Sequence, residues 1–117
     1  EEAVSFRENG LAPIKMESDG KWGFIDRTGK IIVEPQFDDI GFEGNGLTPV
    51  KIGEKWGYMD DTGHLCISPQ FDSASYFNES GLAPIMFGDY EHRKWGYIDT
   101  TGKIVVEPQF EEADYFI

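Results

Sequence analysis

The sequence predicts an all-β fold of tandem repeats, each a three-stranded antiparallel meander of about 36 residues, stacked as an open array. Three observations carry this expectation. Lys21-Trp22-Gly23-Phe24-Ile25-Asp26 returns as Lys55-Trp56-Gly57-Tyr58-Met59-Asp60 and as Lys94-Trp95-Gly96-Tyr97-Ile98-Asp99, and these copies hold all three tryptophans of the chain. Each copy is followed by the same two pieces: Thr28-Gly29-Lys30 and Pro35-Gln36-Phe37, Thr62-Gly63-His64 and Pro69-Gln70-Phe71, Thr101-Gly102-Lys103 and Pro108-Gln109-Phe110. The composition, 15% aromatic with 14 glycines, suits short strands and tight turns better than helices.

The first strand of a unit is expected at about Leu11–Met16, after a Gly-Leu start that recurs at Gly46-Leu47 and Gly81-Leu82. Its proline (Pro13, Pro49, Pro84) removes a ladder donor and predicts an edge, a strand start or a bulge. The second strand, Lys21–Asp26, carries the tryptophan motif. The third begins near Lys30, has a β-branched centre (Ile31, Ile32, Val33; Ile104, Val105, Val106) and continues into Glu34-Pro35-Gln36-Phe37. Between the second and third strands, Asp26, Asp60 and Asp99 open turns that close on Gly29, Gly63 and Gly102, the pattern of a three-residue hairpin with a bulge. The tip between the first and second strands varies, with six residues between Ile14 and Lys21, four between Val50 and Lys55, and eight between Ile85 and Lys94. After each third strand a short connector is expected, too brief to assign as helix.

The units fall at about 1–37, 38–71 and 72–110, with 111–117 starting another. The connector endings Glu1–Phe6, Asp38–Phe42, Asp72–Phe77 and Glu111–Phe116 are one piece, with the second a residue shorter. The chain therefore starts and stops at the same phase, as a window cut from a longer array does, and is taken as a single repeat domain from a longer protein. The same-phase ends favour an open array over the alternative, a closed three-fold arrangement of the β-trefoil type. An open array leaves its end units exposed, so either end-to-end contact between chains or further capping repeats in the full protein are expected.

A chain of 117 residues with 39% hydrophobic residues can bury a core. Net charge −12 disfavours nucleic acid and anionic lipid. It favours basic partners or divalent cations, and also serves solubility in an aromatic-rich chain. The lone cysteine, Cys66, excludes an internal disulfide. No apolar run is long enough to span a bilayer, so membrane insertion is not expected.

Strand alternation puts Trp22, Phe24 and Asp26 on one face and Lys21, Gly23 and Ile25 on the other. Tryptophan and the aromatic two residues on are expected to fill the groove between units, with the following glycine (Gly23, Gly57, Gly96) leaving room for close approach. Phe37, Phe71 and Phe110, and Phe6, Phe42, Phe77 and Phe116, are assigned to the same inter-unit core. The competing use of these rings is a platform for sugar rings or peptide side chains. The turn aspartates are expected to cap turns rather than bind calcium, and Asp38-Asp39 and Glu111-Glu112 to form a solvated face. His64 is expected on the surface, and Cys66, at the position of Ile32 and Val105, as a small buried hydrophobe. No Ser-His-Asp set, phosphate loop or zinc spacing appears, so neither an enzyme nor a cofactor or metal centre is expected. The longest tip has no counterpart in the other units and is the candidate partner-binding loop, with Phe87, Asp89, Tyr90, His92 and Arg93 as its contact residues.

The sequence Lys-Trp-Gly-[Phe/Tyr]-[Ile/Met]-Asp, then Thr-Gly-[Lys/His], then Pro-Gln-Phe-[Asp/Glu], resembles the WG (KWG) β-repeat family of bacterial proteins, over essentially the whole chain. The second unit departs at His64, Cys66 and Ser68. The resemblance implies β-rich tandem arrays, often in envelope or secreted proteins, with no catalytic residues to carry over and a role in binding. A cytoplasmic location is left open. The expected function is a non-catalytic binding or scaffolding module for a protein partner, with carbohydrate or cell-wall binding through exposed aromatics as the alternative.

Overall fold

A computed structural model describes residues 7, 10–89 and 91–110. The endings at Glu1–Phe6 and Glu111–Phe116, including Glu111-Glu112, lie outside the described residues, as do Tyr90 and the side chain of Phe110. The described residues hold eleven strands: β1 (Ala12–Lys15), β2 (Trp22–Ile25), β3 (Ile31–Phe37), β4 (Asp39–Ile40), β5 (Leu47–Ile52), β6 (Lys55–Asp60), β7 (Leu65–Phe71), β8 (Ser73–Ala74), β9 (Ala83–Phe87), β10 (Lys94–Ile98) and β11 (Ile104–Phe110). They form three antiparallel sheets, ordered β1-β2-β3, β4-β5-β6-β7 and β8-β9-β10-β11. None closes into a barrel. The open array is therefore the architecture, and the closed three-fold alternative is set aside.

Each sheet is the expected meander. The connectors add something the sequence reading left unassigned: β4 and β8 are two-residue strands on the outer edge of β5 and β9. That places Pro49 and Pro84 inside a sheet without cost. β4 pairs only with Val50 and Lys51, and β8 only with Ile85 and Met86, each just past the proline. The proline carbonyls then accept the N–H of Gly41 at 2.9 Å and of Ser75 at 3.1 Å, so the missing proline N–H is never asked for.

The tryptophan motif and the Pro-Gln-Phe ending are two halves of one device. Opposite Trp22 lies Phe37, but opposite Phe24 lies Val33, so two residues of β2 face four of β3 and the extra chain bulges. The bulge folds onto Gly23. A Cβ there would lie 2.4 Å from the Val33 carbonyl oxygen and 2.7 Å from the Pro35 nitrogen. The same holds for Gly57 against Ile67 and Pro69 (2.4 and 2.8 Å) and for Gly96 against Val106 and Pro108 (2.5 and 2.8 Å). The expected close approach is thus real, and what approaches is the unit's own third strand.

Two apolar clusters join the sheets. Leu11, Phe24, Val33 and Phe37 of the first sheet meet Val50 and Met59 of the second, with Trp22, Ile32 and Ile40 packed around them. Leu47, Tyr58, Ile67 and Phe71 meet Phe77, Ala83, Ile85 and Ile98, with Trp56, Ala74, Phe87 and Ile104 alongside. Alternation gives each sheet a direction. Phe24 and Tyr58 face the next sheet, whereas Met59 and Ile98, one residue further along than the ring of their own unit, face the preceding one. Val50, Ile85, Met59 and Ile98 are fully buried at such junctions, whereas Ile14 (at the position of Val50 and Ile85) and Ile25 (at that of Met59 and Ile98) of the first sheet are only half-buried.

The deepest plug is the ring two residues after tryptophan: Phe24 and Tyr58 are fully buried and Tyr97 nearly so, while all three tryptophans stay half-exposed at the rim. Two assignments are corrected. Phe42 is not core but 76% exposed. The register of β4 and β8 aligns it with Tyr76, and Glu43 with Phe77, because the missing residue falls later in the connector. Cys66 is exposed as well. Ile67 takes the inward position of β7, and the neighbouring outward position is also open at Val105, which is 53% exposed.

At the second junction, Phe77 packs tilted against Tyr58 with ring centroids 4.9 Å apart, and the Tyr58 hydroxyl donates to the Ser75 carbonyl at 2.8 Å. Over Phe24 the corresponding place is taken by the Arg7 guanidinium, 5.5 Å from the ring centroid. Burial pulls the Arg7 pKa down, against the opposing pull of the Glu43 carboxylate.

Two substitutions test these contacts by urea denaturation. Gly57→Ala forces a methyl into the bulge backbone and is expected to cost about 2–3 kcal/mol. It should lower the midpoint with the slope unchanged. Tyr58→Phe removes the hydroxyl's bond to the Ser75 carbonyl and is expected to cost about 1 kcal/mol, with the ring's packing kept because the first unit already carries phenylalanine there.

Candidate functional site

The residues that recur are the residues that hold the array. Asp26 Oδ1 accepts from the Thr28 N–H at 2.9 Å, the Thr28 hydroxyl at 2.6 Å and the Lys30 N–H at 3.1 Å. Asp60 repeats this with Thr62 and His64 (2.9, 2.7 and 3.0 Å), and Asp99 with Thr101 and Lys103 (2.9, 2.6 and 3.1 Å). Gly29, Gly63 and Gly102 close these turns at φ of 89°, 90° and 88°, where a side chain would be strained. These are the expected turn caps. Gly63 also lies against Val33, and Gly102 against Ile67, so each later turn rests on the third strand of the unit before it.

A second set of bonds was legible but missed. Lys21 Nζ pairs with Asp38 Oδ1, and Lys55 Nζ with Asp72 Oδ1. Each lysine belongs to the unit before its aspartate, and the other oxygen of the aspartate holds the tip of the aspartate's own unit: Asp38 Oδ2 accepts the Gly53 N–H at 2.7 Å, and Asp72 Oδ2 the Gly88 N–H at 2.8 Å. Asp38, expected on a solvated face, is exposed but engaged on both sides. The signal was the joint recurrence of lysine before Trp-Gly and an acid after Pro-Gln-Phe. Both carboxyls titrate below the ordinary aspartate range, Asp38 because of Lys21 and then the Gly53 N–H, and Asp72 because of Lys55 and then the Gly88 N–H.

With the signature engaged in the fold, two kinds of surface differ between units. The first is the hairpin tip. Ile52 pairs with Lys55, which leaves Gly53-Glu54 as a two-residue turn, whereas Phe87 pairs with Lys94 and leaves Gly88–Arg93. Phe87 therefore belongs to β9, in the register of Ile52, and its half-buried ring packs on Phe71 with centroids 5.7 Å apart. Asp89 is exposed and organises the tip, accepting from the Glu91 N–H at 3.1 Å and the His92 N–H at 2.8 Å, with His92 Nδ1 at 3.1 Å. His92 is exposed and Arg93 half-buried. Tyr90 lies outside the described residues. The structure thus holds Asp89 and His92 together at the tip and directs Phe87 onto the second unit's core.

The second surface is formed by the connectors. A groove of about 530 Å³ runs between the first and second connectors, lined by Glu43, Asn45, Tyr76, Asn78 and Glu79, with the Phe77 backbone at its floor. The exposed Phe42 ring stands edge-on to Tyr76, centroids 6.3 Å apart. Among the described residues, no three His, Cys, Asp or Glu side chains gather into a metal-binding cluster. Among these described residues, no helix is long and apolar enough to cross a membrane.

Stacked three-stranded meanders, locked by Trp-Gly against a proline bulge, define an all-β tandem repeat protein. The family described as WG containing repeat matches at residues 22–56, 56–90 and 95–117, and the chain belongs to this family. Each matched segment starts at a tryptophan, so the family's repeat runs from the second strand of one unit into the next unit. No curated protein and no solved structure matches the chain.

The turn carboxyls make stability depend on acid. Thr28, Thr62 and Thr101 hydroxyl donation, aided by backbone N–H groups, holds Asp26, Asp60 and Asp99 below the usual range, with Asp60 at about 2. Because the folded-state pKa lies below the unfolded value near 3.9, this stabilisation is complete above about pH 4 and drains as pH falls towards 2. Thermal melts between pH 6 and 2 should show the fall, and Asp60→Asn, which keeps the acceptor oxygen but cannot ionise, should make it shallower.

Proposed function

We propose that this chain is a non-catalytic binding and scaffolding module that engages a protein partner through surfaces that vary from unit to unit. The observation that carries this reading is the division of labour among its residues. Trp-Gly, the proline bulge, the turn aspartates and the Lys–Asp pairs recur because they build the array, while the tips and connectors differ in length and chemistry on that rigid frame. Repeat arrays bind along extended surfaces of this kind. The long tip at Gly88–Arg93, with Asp89, Tyr90, His92 and Arg93, is one contact region and the connector face is another. The strongly acidic chain suits a basic partner.

A carbohydrate reading draws its support from the half-exposed tryptophans. Lys15 Nζ sits 5.7 Å from the Trp22 ring centroid, so that ring is already engaged in a cation–π contact. This weighs against Trp22 as a sugar platform.

Replacing Gly88–Arg93 by the Gly-Glu turn of the second unit keeps a glycine for Asp72 to hold, and should change stability by less than about 1 kcal/mol. Screening both forms against a displayed peptide library and an oligosaccharide array checks the reading. Selection of peptides with no sugar retained is the expected result, and tip-dependent peptides mark the tip as a contact. Retention of sugars alone would sink it.

A further inference from the structure

We propose that the connector groove is a docking site for a basic peptide segment, taking a lysine or arginine side chain along Phe42 and Tyr76 with its charge among Glu43 and Glu79. The inference deepens the protein-binding reading above and rests on it. The groove joins features that a merely solvated surface does not need. Phe42 is 76% exposed and Tyr76 39% exposed, the two rings meet edge to face, and they belong to successive connectors. An exposed pair of this kind offers ring faces on which the methylenes of a long cationic side chain can lie while its head stays polar. The ring quadrupole also attracts the cation itself.

The wall beside the rings is anionic: the carboxylates of Glu43 and Glu79 and the carboxamides of Asn45 and Asn78 line it, and the Arg7 guanidinium over Phe24 is the cation that Glu43 already faces. Glu43 Oε2 receives the Gly46 N–H at 2.9 Å, which fixes that carboxylate at the groove edge. Asn45 sits at φ 55°, the one non-glycine residue in the left-handed region among the described residues, and donates to the Asn78 carbonyl at 3.4 Å. The two connectors are thus tied to each other across the groove floor. A net charge of −12 adds long-range attraction for a cationic segment and repels an acidic one. The site exists only where two units meet, and the residue that opens it is Glu43, standing where the next connector buries Phe77.

The test uses the whole chain and fluorescently labelled heptapeptides of alternating alanine with lysine, glutamine or glutamate. The lysine peptide is expected to bind by anisotropy, more tightly at low salt than at high salt, while the other two stay free. The double variants Phe42→Ser with Tyr76→Ser, and Glu43→Gln with Glu79→Gln, should each weaken binding about tenfold or more. The control pair Glu34→Gln with Glu107→Gln removes the same charge from exposed positions outside the groove and should weaken it less than about twofold. Equal losses in the control pair, or none in the aromatic pair, would replace the groove with diffuse attraction. Amide shift mapping separates the two readings. Shifts at Phe42–Asn45 and Tyr76–Glu79 support the groove. Shifts confined to Gly88–Arg93 overturn it while leaving the protein-binding reading intact, and binding of oligosaccharides with no peptide bound overturns both.

Discussion

Everything in this array hangs on one close approach: a carbonyl and a proline nitrogen of the third strand pressed onto a glycine of the second. The glycine permits it, since any Cβ would overlap backbone, and the proline suits it, since a bulged residue has no ladder partner for an N–H. The approach lets two residues of one strand face four of the other, which brings Phe37 level with Trp22 and Phe71 level with Trp56. The aromatic ending is thereby delivered to the face that carries Phe24 or Tyr58, and the cluster joining one unit to the next can form.

Strand alternation then turns a local lock into a polar stack. The ring after Trp-Gly points forward, and the aliphatic residue beside it points back. Polar bonds reinforce the same direction, because an aspartate that holds the preceding unit's lysine also holds a backbone N–H of its own unit's tip. Such exposed pairs add little strength individually. Their value lies in geometry: they set where the variable tip leaves the frame.

Much of this was legible in the sequence. Repetition exposed the units, the Asp-x-Thr-Gly turns and the role of glycine after tryptophan. The family membership followed from the same residues. What could not be read was register. Nothing in Asp38–Leu47 says where its missing residue falls, so Phe42 was matched with the wrong ring of the next connector, and only the pairing of β4 places Glu43 opposite Phe77. Cys66 failed for a related reason: neighbours in a β-branched run look alike, but only alternate ones point inward. The third-unit tip was visible only as an insertion, because the sequence does not show that Phe87 still belongs to a strand. The connector groove was invisible, since it is made by two segments that meet only after stacking.

The placement of the bridging aspartates also bears on how the chain can assemble. Asp38 and Asp72 each tie the tip of their own unit, through Gly53 or Gly88, to the lysine of the unit before, over spans of 15 to 17 residues. These polar ties are short-range, so little loop entropy stands in the way of forming them as a new unit docks. During synthesis a unit that has just left the ribosome meets a finished surface that already presents the lysine its aspartate pairs with and the forward ring it packs on. Growth from the amino end is then a sequence of small closures, each templated by the last, rather than one global search.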